Sequence, residues 1–470
     1  MSIPSSTGRR PPVALPFSKD RRYNCNLGAD MSKSSPTFSK GGIHPRESKE
    51  LTEHLPIEAM PPPEEVDILL LQHFGSPCRV LVDKKATVIE GETIGVVDAG
   101  LGASVHSSVS GTVKSIGASP HPVRVEAPSV TIRRDPQAEP KVFTPSEWEH
   151  FSPEELLEKI RNAGLVGLGG AGFPTHLKLS PPPGTRLDKL ILNAAECEPY
   201  LNCDNRTMIE FPHEILTGAR IILRILGIKE CHIGIENNKQ EAIWVLSRAA
   251  AESTAPDCKI SVNPLMVKYP QGSEKQLIQT ITGRRVPYPG LPFDVGVMVI
   301  NVGTAKTIHD AVVLEKPLYE RVVTISGRAI ARPANLMVRI GTRLSDIVTF
   351  LGGTMDNLAR IVVGGPMMGF SIPTTDLPVM KTTSGVLFLS DDEIDSRPHG
   401  PCIRCGKCVE VCSMGLSPNE VGIYVEAGRA RDTAQFGVFE CFECGACAFV
   451  CPAKRPLVQF TRLAKAKARK

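Results

Sequence analysis

The sequence lacks any run of the ~18 consecutive apolar residues that a membrane-spanning helix requires. Its best candidates, Val66 to Leu71 and Val295 to Val302, are strand-sized, so a chain soluble by itself is expected. A dominant charge is missing too. The 54 Lys and Arg stand against 50 Asp and Glu, a net of +4, too little to argue for nucleic acid or an anionic membrane as the main partner. Arg9-Arg10 is followed by Pro-Pro-Val-Ala-Leu-Pro, too broken for the apolar core of an export signal. Evenly spaced cysteines, the mark of a small disulfide-stapled secreted domain, are also absent. Of 14, eight crowd into two groups after residue 400, and Cys25, Cys78, Cys197, Cys203, Cys231 and Cys258 are scattered. Clustering at C-x-x-C intervals points to metal in a reducing, cytosolic compartment.

What is present is enough chain, 470 residues, for about three or four domains. Hydrophobic residues at 41% and charged residues at 22% exclude a mainly disordered, collagenous or coiled-coil protein. The 40 Gly and 40 Pro imply many turns and short elements. Residues 1–40, rich in Ser, Pro, Arg and Lys without periodicity, read as a flexible tail in which Met31 is an alternative start. From Glu65 to Ile132, short β-rich runs such as Val80-Leu81-Val82 and Thr93 to Val97 alternate with Gly and Pro, which predicts small all-β packing. Between 150 and 320, strand-like Leu190-Ile191-Leu192, Cys231 to Ile235 and Val295 to Val302 alternate with helical Pro212 to Leu226 and Lys239 to Ala251, which predicts an α/β domain. Residues 321 to 353 read as strand, turn, strand and helix, a small α+β module. Ser152-Pro153-Glu154-Glu155 and Ser417-Pro418-Asn419-Glu420 each carry a helix-start signature with a cap hydroxyl, a proline and a returning glutamate.

The cysteine groups are Cys402-x2-Cys405-x2-Cys408-x3-Cys412 and Cys441-x2-Cys444-x2-Cys447-x3-Cys451-Pro452. This is ferredoxin spacing, in which three close thiolates hold one 4Fe-4S cube and the fourth cysteine ligates the other. One cube is therefore expected on Cys402, Cys405, Cys408 and Cys451, the second on Cys441, Cys444, Cys447 and Cys412. Zinc ribbons instead use tetrahedral sets, usually as two separated C-x-x-C pairs. The 28 residues between the groups hold a helix start at Pro418, so a helical ferredoxin domain is expected.

Gly167-Leu168-Gly169-Gly170-Ala171-Gly172 satisfies G-x-G-x-x-G literally. A Rossmann fingerprint, however, must follow a strand and open a helix, whereas this loop follows the predicted helix 153–162 and runs into Phe173-Pro174-Thr175. Bare amides still suit a phosphate here. The alternative is a glycine-rich turn without a ligand. Cys197 sits between Glu196 and Glu198; acidic neighbours raise a thiol's pKa, so a packing role is expected rather than nucleophilic attack.

These motifs carry a resemblance. Gly167 to Lys178 resembles the flavin loop of the NADH-binding flavoprotein subunit of respiratory complex I. Asn193-Ala194-Ala195-Glu196-Cys197-Glu198-Pro199 resembles its acidic segment, Tyr269-Pro270-Gln271-Gly272-Ser273-Glu274 its Tyr-x-x-Gly-Glu-Glu segment, and Asn301-Val302-Gly303-Thr304 its phosphate contact. Gly41-Gly42-Ile43-His44-Pro45, Gln72-His73-x-Gly75, Lys275 and Gly364-Gly365-Pro366-Met367-Met368-Gly369-Phe370 narrow the resemblance to the C subunit of Rnf-type ion-translocating electron transport complexes. Ala103 to Ile116 resembles half of a biotinyl/lipoyl-type module, but Gly100-Leu101-Gly102 stands at the hairpin tip where that family carries its cofactor lysine, so the module is expected to be structural.

The resemblance implies a multidomain α/β and α+β chain: a tail at 1–40, a barrel-sandwich hybrid at 41–138, an FMN- and NADH-binding α/β domain at 139–320, a soluble-ligand-binding β-grasp module at 321–375, a connector at 376–397, a dicluster ferredoxin domain at 398–460 and a basic tail at 461–470. It further implies that Gly167, Gly169, Gly170, Gly172, Asn193, Asn301 and Thr304 hold FMN, that Lys178 pairs with phosphate, and that Phe173 offers a stacking surface. Glu196, Glu198 and Glu274 are expected to bind the nucleotide's hydroxyl or amide groups. The expected activity is electron exchange between NAD(H) and ferredoxin through FMN and two 4Fe-4S clusters. The chain would sit peripherally on the cytoplasmic face of the cell membrane, with the other complex subunits, a ferredoxin-like one included, as partners and no nucleic acid. A cobalamin reductase of propanediol-using microcompartments and a non-catalytic electron-relay scaffold are the rivals.

Overall fold

The computed structural model describes residues 35–252 and 258–468. The expected tail up to residue 34, with Met31 and Cys25, lies outside them. Phe38, inside the range expected as tail, is buried, and its carbonyl accepts from Lys268 Nζ at 3.0 Å.

The β-rich stretch folds as two antiparallel sheets around one core. Glu65–Leu69, Glu126–Arg134, Gly111–Pro120 and Thr87–Val88 form the larger, and Arg79–Val80, Thr93–Val96 and Val105–His106 the smaller. Val66, Ile68, Val113, Val130 and Ile132 from the first pack with Ile94 and Val105 from the second, because alternate residues of a strand share a face.

The next domain is a four-stranded parallel sheet in the order Lys259–Leu265, Glu230–Glu236, Lys189–Ala194, Val297–Asn301. The helix Pro153–Asn162 starts on a formed capping box between Ser152 and Glu155. Pro212–Leu226 ends on Gly227 in the left-handed region, the usual helix stop. A β-carbon at Gly218 would lie 1.9 Å from the Ala305 carbonyl, so glycine is what lets Pro212–Leu226 cross Val302–Val313 at backbone distance. The chain leaves Lys189–Ala194 to one side of the sheet and returns to its other side with Val297–Asn301. The carboxyl ends of these two strands are thus the topological switch point, where open α/β sheets bind ligands.

A six-stranded mixed sheet follows in the order Ile57–Ala59, Ala334–Arg339, Glu320–Ser326, Gly385–Ser390, Leu358–Val363, Phe370–Ile372. Two of its strands depart from expectation. Gly385–Ser390 lies within the expected connector yet is buried along its whole length, as an inner strand covered on both faces must be. Ile57–Ala59 pairs in parallel with Asn335–Met337 and joins no barrel sheet.

The cysteine motifs sit among the helices Lys407–Glu410, Pro418–Glu426, Ala446–Phe449 and Leu457–Ala468. Ser417 makes no side-chain cap bond to the helix it precedes, so the repeated signature forms a capping box only at Ser152. The expected basic tail is a correction as well. Its residues through Ala468 belong to the helix Leu457–Ala468, where Lys465 donates to the Cys441 carbonyl at 2.6 Å and Arg462 and Lys465 both pair with Glu443.

Candidate functional site

A cleft of about 550 Å³ opens at the switch point. Asn193 and Asn301 are register partners at the ends of the two adjacent strands. Asn301 then caps the helix Val302–Val313, its Oδ1 accepting from Thr304 N at 3.1 Å. The Thr304 hydroxyl accepts from Leu168 N at 2.9 Å, which lays the glycine loop across that helix's amino end. Asn193 Nδ2 donates to the Gly272 carbonyl at 2.8 Å. Strand end, glycine loop and the Tyr269 to Glu274 segment therefore meet around one space.

Ten of the twelve residues expected to hold FMN or nucleotide line this cleft: Gly167, Gly169, Phe173, Lys178, Asn193, Glu196, Glu198, Glu274, Asn301 and Thr304. Gly170 and Gly172 belong to the same loop without lining it. Gly170 has φ +113°, with nothing within 4 Å of where a β-carbon would stand, and Gly172 packs against Thr382 and the His73 backbone. Lys178 is held by Glu274 at 2.7 Å, so the two expected contact groups meet each other. Each Glu of the acidic segment also has work inside the protein. Glu196 is buried and accepts from Asp204 N at 2.9 Å and Asn205 N at 3.2 Å, capping the helix Cys203–Glu210. Glu198 accepts from Met367 N at 3.0 Å and from the Tyr269 hydroxyl at 3.2 Å. Burial pushes its carboxyl up to about 7 against these bonds. Burial likewise drives the Cys197 thiol far up, aided by Glu236 and Glu198, which fits packing and not attack.

Sequence reasoning missed four participants. Lys49 is buried and donates to the carbonyls of Glu196 at 2.9 Å, Glu198 at 3.0 Å and Leu201, tying down the acidic segment from behind. Asp204 lines the cleft and accepts from Asn301 Nδ2 at 2.7 Å; burial, with Glu196 nearby, raises its pKa. Met368 and Phe442 also line the cleft. The Gly364 to Gly369 loop owes its glycines to close approach. A β-carbon on Gly365 would lie 2.1 Å from Glu198 Oε2, and one on Gly445 would lie 2.6 Å from the Met367 carbonyl. That loop fills the space between the cleft and the second cysteine motif.

Cys402, Cys405, Cys408 and Cys451 rim one small cavity, and Cys412, Cys441, Cys444 and Cys447 another. Each motif's first three cysteines are grouped with the last of the other. The loops repeat one backbone: Arg404 and Gly406 have positive φ in the first, Glu443 and Gly445 in the second. Among the described residues no three or more His, Cys, Asp or Glu converge as tightly as a single ion needs. Thiolates spread around a cavity suit a multi-iron cube better than tetrahedral zinc. The second quartet is the one beside the cleft, because Tyr269 reaches Cys444 O at 2.6 Å.

The cleft also fits a flavin mononucleotide. Its volume lies in the range of small-molecule sites. The amino ends of the helices Glu274–Thr282 and Val302–Val313, with Lys178 and Lys275, bring positive character for a phosphate, while Glu198 and Asp204 present acceptors for hydroxyl groups.

Comparison with known proteins assigns four segments to family profiles: an RnfC barrel sandwich hybrid domain at 37–137, a Nuo51 FMN-binding domain at 160–310, an SLBB domain at 322–371 and a 4Fe-4S dicluster domain at 401–454. The chain is 43% identical over 433 residues to the C subunit of the proton-translocating ferredoxin:NAD(+) oxidoreductase complex of Clostridium ljungdahlii, covering 92% of this chain and 94% of the relative. It is 39% identical over 437 residues to the C subunit of the Na(+)-translocating ferredoxin:NAD(+) oxidoreductase complex of Acetobacterium woodii, covering 93% and 98%. A chain of an NAD+-reducing NiFe hydrogenase superposes with a TM-score of 0.49 at 21% identity over 69% of this chain and 62% of that one.

Proposed function

The chain belongs to the family of C subunits of ion-translocating ferredoxin:NAD(+) oxidoreductase complexes, and from that premise we propose that it exchanges electrons between NAD(H) and ferredoxin through FMN and two 4Fe-4S clusters. It works as a peripheral part of a membrane complex that couples the transfer to ion movement, with the other subunits, a ferredoxin-like one among them, as partners. No described helix is long and apolar enough to cross a membrane. We place the chain on the cytoplasmic face, where NADH and ferredoxin are found. The names of the relatives favour this reading over a cobalamin reductase.

The observation that carries the reading is the adjacency of the cleft to the Cys412, Cys441, Cys444 and Cys447 quartet, with Phe442 lining the cleft and lying between two of those cysteines in sequence. FMN, when bound, supplies the conversion between a hydride pair and single electrons. The protein's share is pose and electrostatics. Gly167, Gly169, Gly170 and Gly172 keep the loop bare enough for backbone amides to approach the cofactor, and Lys178 balances its phosphate. Asn193, Asn301 and Thr304 fix the loop, strand end and helix start around it. Phe173 gives the nucleotide a flat apolar face, and Glu196, Glu198 and Glu274 line the side on which its hydroxyl and amide groups are bound. The eight cysteines hold the two clusters in the two quartets described.

The test is NADH-dependent dye reduction by the full chain reconstituted with FMN, iron and sulfide under anaerobic conditions. Turnover is expected with about eight iron and eight acid-labile sulfide per chain, four for each cube. Two intact clusters without NADH oxidation would make the chain a relay scaffold.

A further inference from the structure

The barrel-sandwich module has no part in the chemistry described so far, and its hairpin tip carries glycines in place of a cofactor lysine. The tip nevertheless does something specific. The Leu101 carbonyl accepts from Ser76 N at 3.1 Å, and Gly75, at φ +131°, packs so closely that a β-carbon there would lie 2.0 Å from that same oxygen. A β-carbon on Gly102 would lie 2.8 Å from His73 Nε2, whose ring bonds back to the Ser76 carbonyl at 2.9 Å. Gln72 donates to the Leu69 carbonyl and accepts from Lys381 N, each at 2.9 Å. The short loop from Gln72 to Ser76 is thus gripped from the tip and from the segment at Lys381.

What this rigid loop presents is an aromatic ring in solvent. Phe74 is 57% exposed. Its backbone N–H donates to the Gly172 carbonyl at 2.9 Å, which docks it on the glycine loop. Its ring stacks on that of Phe173, centroids 6.0 Å apart and planes 29° from parallel. Phe173 lines the cleft. So much fixing of an exposed ring adds little apolar burial, and ring pairs of this geometry offer their outer faces to a further flat ring.

We propose that Phe74, carried by the barrel-sandwich module, extends the aromatic surface of Phe173 beyond the cleft and stacks with the adenine base of the dinucleotide. The inference rests on the reading of the cleft as the NAD(H) site. In a dinucleotide the nicotinamide must face the flavin for hydride transfer, so the second ring system lies farther out, on the side where Phe173 meets Phe74 in this proposal. Gly102 of the tip then has a reason. It admits His73 of the loop that carries Phe74.

The experiment is calorimetric titration of the FMN- and cluster-loaded chain with the two halves of the dinucleotide, ADP-ribose and nicotinamide mononucleotide. Phe74→Ala is expected to weaken ADP-ribose binding about 5- to 100-fold, the range of base–aromatic stacking. The affinity for nicotinamide mononucleotide and the FMN content stay at wild-type values, and Phe74→Trp restores ADP-ribose binding. Unchanged ADP-ribose affinity in Phe74→Ala would overturn the inference. So would an equal loss for both halves, which would mean the loop acts only by shaping the fold. A wild-type chain that binds neither half would overturn the nucleotide reading of the cleft itself.

Discussion

The Tyr269 hydroxyl lies 2.6 Å from the backbone carbonyl of Cys444 and 3.2 Å from Glu198 Oε1. One phenolic proton faces two acceptors, and only the carboxyl of the two can answer with a proton of its own. Tyr269→Phe strands the Cys444 carbonyl, a cost of about 1–3 kcal/mol for a buried acceptor. The expected result is a lower melting temperature of the loaded chain and an altered paramagnetic spectrum for the reduced cluster on the Cys441 side, with the other cluster's signal unchanged. A wild-type spectrum and melting temperature would show that the contact carries no weight.

The crossed grouping of the cysteines predicts which cluster each fourth ligand serves. Cys451→Ala should damage the cube anchored by Cys402, Cys405 and Cys408, and Cys412→Ala the cube anchored by Cys441, Cys444 and Cys447. Separate spectra of the two cubes in each variant decide it. The opposite assignment would mean ligation within each motif.

In the glycine loop, a β-carbon on Gly169 would stand 3.3 Å from Asn301 Cβ, and Gly170 has a φ that side chains rarely adopt. Gly169→Val and Gly170→Val are expected to lower FMN content, measured by release and fluorescence, because valine both strains the loop and blocks the approach of its amides. Stoichiometric FMN held with wild-type affinity in both would remove the loop from the site.

Glu196 and Glu198 separate by what each does for the fold. Glu196→Gln weakens a charge-assisted helix cap and is expected to lower the melting temperature by the equivalent of about 1 kcal/mol. Glu198→Gln imitates the neutral carboxyl that burial already favours and should leave it unchanged. The NADH dissociation constant is expected to rise about ten-fold, or about 1.4 kcal/mol, in at least one of the two. Equilibrium titration of both variants and the double variant checks this, and an unchanged constant in all three would leave the carboxylates as structural groups only.

Glu236 gives a pH dependence. It is 1% exposed, its Oε1 has no hydrogen-bond partner, and burial pushes its pKa from 4.5 up to about 7. The folded protein therefore binds a proton that the unfolded chain has released, so this group's contribution is fully present below about pH 4.5 and is lost as pH rises through about 7. Glu236→Gln should flatten the fall in melting temperature across that window. An identical slope in wild type and variant would show that Glu236 titrates normally.

Much of this was legible because the signals are local. The capping box at Ser152, the strand runs at Leu190 and Val297, and the spacing of the eight cysteines each lie within a few residues of sequence, and local chemistry reports local structure. The cleft residues were legible in the same way, as short motifs at strand and helix ends. The contacts of Lys49, of Phe74 and of the Met367 loop, a motif whose place in the fold the sequence leaves open, were not. Their partners lie at Glu196, Phe173 and Glu198, far along the chain, and a lysine, a phenylalanine or a pair of methionines has no periodicity that announces a distant carbonyl or ring. Gly385–Ser390 shows the same limit, since an apolar run of four, Val386 to Leu389, does not reveal which sheet it will enter.

The stretch from Gly41 to Ala59 bonds successively to the most distant parts of the chain: Gly42 N to the Val411 carbonyl, Ile43 to Tyr269, Lys49 to the acidic segment, and Ile57–Ala59 to Asn335–Met337. During synthesis it leaves the ribosome ahead of every one of those partners. Contacts of such long sequence separation form late, after the loops between them have closed. Each part of the segment must therefore wait for its own partner, open meanwhile to the wrong strands, and Gly42 waits longest, until the first cysteine motif has been made. Only then is the strap complete, so a ribosome that stops short of residue 411 releases a chain whose earliest strap can reach Tyr269, the acidic segment and Asn335–Met337 but has lost its hold on the cysteine motif.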